Sequence, residues 1–258
     1  MTVSTARAEA EATDAATVSG LVTNASFGLV ISATYIALYR QRPEAEGYRL
    51  PDVLTYVWVS QGLIMPLNLW GWQEIAQTIR TGDIASDLAK PLSYFGYWLS
   101  RDLGRAAYHW LSRWVPTVAV GWAFFRVTLP TSPLTWLAFA LSLTLAVIIS
   151  FCLRFMMNLT AFWLLDVRGT LSLSYLFVNF LSGFLLPLAF FPPALRAVAE
   201  FLPFAGMVNL PLQVYLERAQ GAALLGVLLQ QAAWVAACAL AAQALLTAAT
   251  RKLVVQGG

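Results

Sequence analysis

Phe184 to Tyr215 reads FLLPLAFFPPALRAVAEFLPFAGMVNLPLQVY. This stretch is apolar enough for a membrane and too interrupted to be one plain span. Pro187, Pro192, Pro193, Pro203 and Pro211 each lack a backbone donor and fix φ. A spanning helix needs about 20 fairly continuous apolar residues, and the continuous run stops at Phe191. A short helix is predicted over Ala194 to Leu202, started by the double proline and stopped by Pro203. Leu195, Val198, Ala199 and Leu202 share one face of it, and Arg196 and Glu200 sit four apart on another, where they can pair. Phe204, Gly206 and Pro211 punctuate a second turn. Two readings fit: a helix that reaches one membrane surface and dips or lies there, or an ordinary external loop carrying an amphipathic helix. In the first, the broken backbone needs protein or a wet cavity around it.

The rest of the chain belongs with this stretch in a bilayer. Of 258 residues, 59% are hydrophobic and 11% charged, and mean hydropathy is +0.66; soluble domains carry about 25% charged residues. The net charge of +3 is scattered among apolar runs, which argues against a nucleic-acid partner. Cys152 and Cys238 lie inside apolar stretches and read as buried thiols, and His109 is the single histidine, which excludes a multi-histidine metal centre. Met1 to Ser19 is polar and Ala-rich, without the basic start and apolar core of a secretory leader. No phosphate loop, G-x-S-x-G or H-E-x-x-H occurs, and no paired acids lie within spans, so catalysis in this chain is not expected.

Read outward in order, the sequence predicts an all-α membrane protein of six spans in a single domain, 1–258. The spans are Val18 to Tyr39, Asp52 to Trp72, about Ala106 to Leu129, Leu134 to Leu165, Leu171 to Phe191 and Gly221 to Ala249. Pro130 to Pro133 and Asp166 to Gly169 read as turns. An N-terminal tail covers 1–17, a polar connector 73–105, and the broken segment 192–220. Arg113 and Pro116 blur the start of the third span, and Leu134 to Leu165 is long for one span. In the connector, Ile75 and Ile79, then Ile84 and Leu88, sit four apart around a break at Thr81-Gly82, which predicts two short amphipathic helices. An even number of spans puts both termini on one side. Arg7, Arg80, Lys90, Arg101, Arg105, Arg113, Arg168, Arg251 and Lys252 fall there, against Arg40, Arg42, Arg49, Arg126, Arg196 and Arg218 opposite. The positive-inside rule then places both termini and the connector in the cytoplasm, and the broken segment outside.

Arg154 is the charge set deepest in a span. It is read either as a candidate pathway cation together with Asn158, one turn on, or as a side chain reaching back to the headgroups. Asn158 is placed to hydrogen-bond to Arg154 or to a neighbouring helix.

Two blocks resemble a known family. Ile79 to Arg105, IRTGDIASDLAKPLSYFGYWLSRDLGR, carries Gly82 followed by Leu88-Ala89-Lys90-Pro91-Leu92; Ser182 to Tyr215 carries Ser-Gly, Pro-Leu, Pro, then Leu-Pro-Phe and a later Pro. Together with the layout of spans these resemble the permease subunits of type-2 ABC exporters, in the bacterial branch whose ATPase is a separate chain. The resemblance implies two ATP-binding subunits docked in the cytoplasm and a second permease, identical or homologous, in a bacterial inner membrane. It implies no cofactor in this chain, ATP and Mg being held by the partner. It maps ATPase coupling onto Glu74, Ile75, Ile79, Arg80, Gly82, Asp83, Ile84, Asp87 and Leu88, and an outward gate onto Gly183, Pro187, Pro192, Pro193, Leu202, Pro203, Phe204 and Pro211. The substrate implied is a small molecule or lipid of amphipathic or hydrophobic character. The alternative is a self-sufficient channel, or a structural or assembly protein with no ATPase coupling.

Overall fold

Prolines, glycines and polar clusters set the boundaries of the helices in this computed structural model, which describes residues 3–69, 72–164 and 167–252. The order is α1 (Val3–Tyr39), a two-residue-strand hairpin β1 (Glu44–Ala45) and β2 (Tyr48–Arg49), α2 (Leu50–Leu67), α3 (Glu74–Thr81), α4 (Ile84–Leu88) and α5 (Tyr94–His109). A π-turn, Trp110–Trp114, leads into α6 (Val115–Phe125), followed by α7 (Pro133–Leu159), α8 (Arg168–Leu181), α9 (Pro193–Phe201), α10 (Asn209–Tyr215) and α11 (Ala222–Thr250). Among the described residues, three helices are long and apolar enough to cross a membrane: Val22–Tyr39, Pro133–Phe162 and Ala222–Thr250. A fourth is reached if α9 and Pro203–Tyr215, bent by 68°, count as one broken span.

The chain divides into two units, 1–66 with 107–129, and 67–106 with 130–258. In the first, Trp58 is fully buried, stacks on Phe125 at 5.1 Å between ring centres, and donates Nε1–H to Ser32 Oγ at 3.1 Å. Gly121 permits that packing, because a β-carbon there would lie 2.5 Å from Trp58 Cγ. Asn24 Nδ2 donates to the Gln61 carbonyl, and Thr55 and Thr128 share a hydroxyl hydrogen bond at 3.0 Å. The hairpin turns on Glu46 and Gly47, both at positive φ, as a tight two-residue turn requires.

The second unit is built on α7. Ser132 caps it by accepting from Leu134 N–H, and Pro133 fills its first position, where a missing donor costs nothing. With the 3₁₀ turn Thr160–Phe162 it runs 30 residues, about 45 Å at 1.5 Å per residue. It is mostly buried, with α3, α10 and α11 against it, whereas α11 is mostly exposed.

Four expected boundaries move, the first being the end of the third span: α6 stops at Phe125, with Arg126 at φ 53°, rather than at Leu129. The third span does not start at Ala106: helix runs on from Tyr94, and the π-turn precedes Pro116, whose ring would clash with the Ser112 carbonyl in a regular helix. The fifth span does not run to Phe191. α8 ends at Leu181, the backbone takes a left-handed residue at Gly183 (φ 83°), and only a 3₁₀ turn, Leu188–Phe190, follows. α2 stops at Leu67 rather than Trp72, with Asn68 at φ 51°. Trp70 at the end of that span and Asp166 of the expected turn lie outside the described residues.

Gly121→Ala is expected to lower stability by about 1–3 kcal/mol through overpacking against Trp58. Gly104→Ala, where a β-carbon meets nothing within 4 Å, is expected to be neutral or slightly stabilising. Thermal unfolding of both variants in detergent checks the contrast.

Candidate functional site

The connector forms the two predicted short helices. α3 ends at Gly82, at φ 84°, whose N–H returns to the Ile79 carbonyl; a left-handed residue there turns the chain sharply into α4. Ile75 and Ile84 are fully buried and Ala76 nearly so, while Ile79 and Leu88 stay half-buried. Arg80 and Asp83 are exposed, and Asp87 is half-buried. Asp83 accepts from Thr81 Oγ1 at 2.6 Å, and Glu74 pairs with Arg101 at 2.7 Å. Lys90 donates to Asp87 at 2.7 Å, and that hydrogen bond raises the Lys90 pKa above its ordinary value.

Behind the connector lies a polar ridge on α7. Ser142, Ser150, Arg154 and Asn158 fall on one line of every-fourth positions, with Ala146 filling the position between the serines, and all are buried. Arg154 is buried among the helices rather than extended to the surface of the chain. Its side chain is held by Asp102 of α5, with Nη2 to Oδ2 at 2.7 Å and Nη1 to Oδ1 at 3.4 Å, and both residues are only 4% exposed. Asp102 also accepts from Arg105 Nε at 3.0 Å, Arg154 Nε donates to Ser150 Oγ at 3.3 Å, and the guanidinium lies 5.3 Å from the Trp72 ring centre.

The same ridge takes hold of the main chain between α2 and α3. Ser150 Oγ donates to the Leu67 carbonyl at 2.6 Å. Asn158 Nδ2 donates to the Trp72 carbonyl at 2.9 Å and to the Arg154 carbonyl at 2.8 Å, and its Oδ1 accepts from Ala76 N–H at 3.0 Å. The carbonyl at the end of α2 and an N–H in the first turn of α3, which no helix ladder serves, are therefore both satisfied from α7. An aromatic shell, with Phe95 5.3 Å from both Phe151 and Phe155 and Trp72 5.4 Å from Trp98, surrounds the pair. Sequence reasoning does not single out Asp102, which reads there as one more connector charge. The signal for it is the need of an embedded arginine for an acid, but spacing does not choose among acids distant in the chain.

The broken segment is organised from α11. α9 starts on Pro192 and Pro193 and ends where Leu202 turns extended ahead of Pro203, with Arg196 and Glu200 paired at 2.8 Å. Gln230 Nε2 donates to the Glu200 carbonyl at 2.7 Å and Trp234 Nε1 to the Phe201 carbonyl at 2.9 Å. Gln231 Nε2 donates to the carbonyls of Gly206 and Ser142, and its Oε1 accepts from Ser142 Oγ at 2.8 Å. Pro203 and Pro211 are buried and Phe204 half-buried. Gly183 and Pro187 lie in the irregular stretch between α8 and the 3₁₀ turn. Of the predicted apolar face of α9, only Ala199 is buried; Leu195 and Val198 are exposed, as is Phe201 at 70%. Glu217, at φ 56°, accepts from Thr131 N–H and Thr135 Oγ1, joining the start of α7 to the turn after α10.

A predominantly helical, apolar chain with an amphipathic helical connector and a proline-broken segment matches one known family. The sequence matches the ABC-2 family transporter protein model over residues 29–257. The chain belongs to the ABC-2 transporter family. No curated protein and no solved structure gives a significant match. Membership makes the chain a multi-pass membrane permease of an ABC transporter and implies partnership with an ATP-binding subunit. In this ABC-2 permease the residues expected to couple to the ATPase all fall on α3, α4 and the turn between them, and those expected to gate run from the turn after α8 to Pro211 within α10. Arg154 and Asn158 lie behind the connector, joined to it rather than to the broken segment.

Removing one member of the ion pair strands the other. Arg154→Ala and Asp102→Ala are each expected to destabilise the permease by about 3–5 kcal/mol, and the double change Arg154→Met with Asp102→Leu to recover most of that loss. The check is thermal unfolding in one detergent across the series.

Proposed function

We propose that this ABC-2 permease is an exporter subunit, forming a translocation path with a second permease, identical or homologous, and driven by two copies of a separate ATP-binding subunit. Six spans would carry it: Val22–Tyr39, α2, the helix from α5 through α6, Pro133–Phe162, α8 with the turn that follows, and α11. Both termini and the connector face the cytoplasm of a bacterial inner membrane, and the segment from Gly183 to Pro211 is the outward gate.

The observation that carries this reading is the connector's division of labour. Ile75 and Ile84 hold it to its own chain, while Ile79 and Leu88 keep part of their apolar surface and Arg80 and Asp83 stand in solvent. A rigid, anchored element with a half-open apolar face flanked by charges of both signs suits a protein groove better than a bilayer surface, where basic residues would dominate the polar face. Closure of the ATPase dimer on ATP would then push α3 and α4. The exposed apolar surface of α9 and α11, among few embedded charges, favours an amphipathic or hydrophobic substrate.

The test is co-purification of tagged permease from cells that also express its ATP-binding subunit. Wild type is expected to bring down that subunit, and Ile79→Asp or Leu88→Asp to reduce its recovery by about tenfold, the equivalent of about 1.4 kcal/mol. A chain that comes down alone, with variants behaving like wild type, overturns the coupling assignment and favours a self-sufficient channel or structural protein.

A further inference from the structure

We infer that the Ser150–Arg154–Asn158 ridge, locked by Asp102, is the transmission element that carries movement of the connector to the broken segment. The inference rests on the coupling reading above and adds the residues through which it would act. All of its parts lie within the one unit formed by 67–106 and 130–258.

The contacts at the connector end are main-chain contacts. Asn158 holds the Trp72 carbonyl and the Ala76 N–H, on either side of the first residues of α3, and Ser150 holds the Leu67 carbonyl at the end of α2. A side chain gripping backbone on both flanks of a helix start cannot follow a rotamer change and let the helix slide. It moves with the backbone or breaks its hydrogen bonds. Arg154, between the two, is bound to Asp102 through both nitrogens of its fork, which fixes the ridge against α5 as well. A displacement of α3 is therefore delivered to α7 and α5 together.

The far end of the ridge meets the broken segment. Ser142 exchanges two hydrogen bonds with Gln231, through its hydroxyl and its carbonyl, and the same Gln231 amide holds the Gly206 carbonyl. Gly206 also packs on Ile149, midway along the rod and next to Ser150: a β-carbon there would lie 2.9 Å from Ile149 Cδ1. From Ser142 to Asn158 is about 24 Å of continuous helix. One rigid rod thus has buried polar attachments to the connector at one end and to the 203–206 turn at the other. Arg154 and Asn158 are positioning residues on this rod.

The experiment reads the broken segment while nucleotide acts on the partner. Val198, 56% exposed on α9, is replaced (Val198→Cys) in a permease whose buried Cys152 and Cys238 are changed to Ala. The complex with its ATP-binding subunit is placed in liposomes, and the reaction of the introduced thiol with a charged maleimide is timed with and without ATP and vanadate. In the parent, nucleotide is expected to change the labelling rate by about fivefold or more. Asn158→Leu, of similar volume but without the three hydrogen bonds, is expected to retain the subunit and its ATP hydrolysis while losing the nucleotide effect on labelling. A purely structural Asn158 would lower the melting temperature and leave that effect intact, which overturns the inference. So does a parent that binds the subunit but shows no nucleotide effect. If Asn158→Leu does not assemble, Ser150→Ala decides in its place: at least half the effect lost supports the rod, an unchanged effect overturns it. Failure of the parent to bind any ATP-binding subunit is a different result and removes the coupling reading beneath.

Discussion

A backbone carbonyl or N–H without a partner at membrane depth costs several kcal/mol, with no water to take it up. This permease breaks its helices repeatedly, and several breaks in the second unit bring buried backbone groups beside side chains able to complete them. The end of α2 and the start of α3 are completed by Ser150 and Asn158 from α7. The end of α9 and the turn after it are completed by Gln230, Gln231 and Trp234 from α11. The two long helices whose own ladders are intact thereby supply the hydrogen bonds that the interrupted elements lack. Helix association in lipid has no water-driven term to rely on, so these polar contacts, with close packing, carry much of the specificity of the arrangement.

The ion pair fits the same logic. Arg154 sits between the two residues that hold the connector backbone, and a charge there is tolerable only because Asp102 meets it with a bidentate geometry and Ser150 accepts a third N–H. A buried pair is weak evidence of stability, since apolar residues of similar size often serve as well. What it supplies is registry. The guanidinium fork matches one carboxylate at one distance, so α5 and α7 have one favourable alignment, whereas the surrounding aromatic shell would accept several.

Features set by neighbouring residues were legible from residue order alone. The break at Gly82 needed only a glycine between two apolar pairs, the start of α9 a double proline, and the Arg196–Glu200 pair a spacing of four. What stayed hidden was non-local. The π-turn before Pro116 and the left-handed break at Gly183 interrupt runs that hydropathy reads as continuous, because hydropathy sees side chains and not the path of the main chain. Asp102 is separated from Arg154 by the whole of α6 and most of α7, and nothing in its neighbourhood marks it as buried. The polar residues of α7 were visible one by one, as an embedded charge and an amide. Their meaning lay in which backbone groups came to meet them.

That difference bears on how a moving membrane protein is put together. A side chain paired with another side chain can be uncoupled by a change of rotamer, at a cost of about 1 kcal/mol. One bound to backbone on two sides of a break constrains the direction of the whole element. The ABC-2 permease concentrates contacts of the second kind where α7 meets the connector and where α11 meets the broken segment. It leaves the surfaces in between to close apolar packing, notably Phe139, Leu143 and Phe151 on α7 and Ala242 on α11. Directional contacts are thus placed where the long helices meet the interrupted elements. The apolar contacts between them resist separation without dictating a unique alignment.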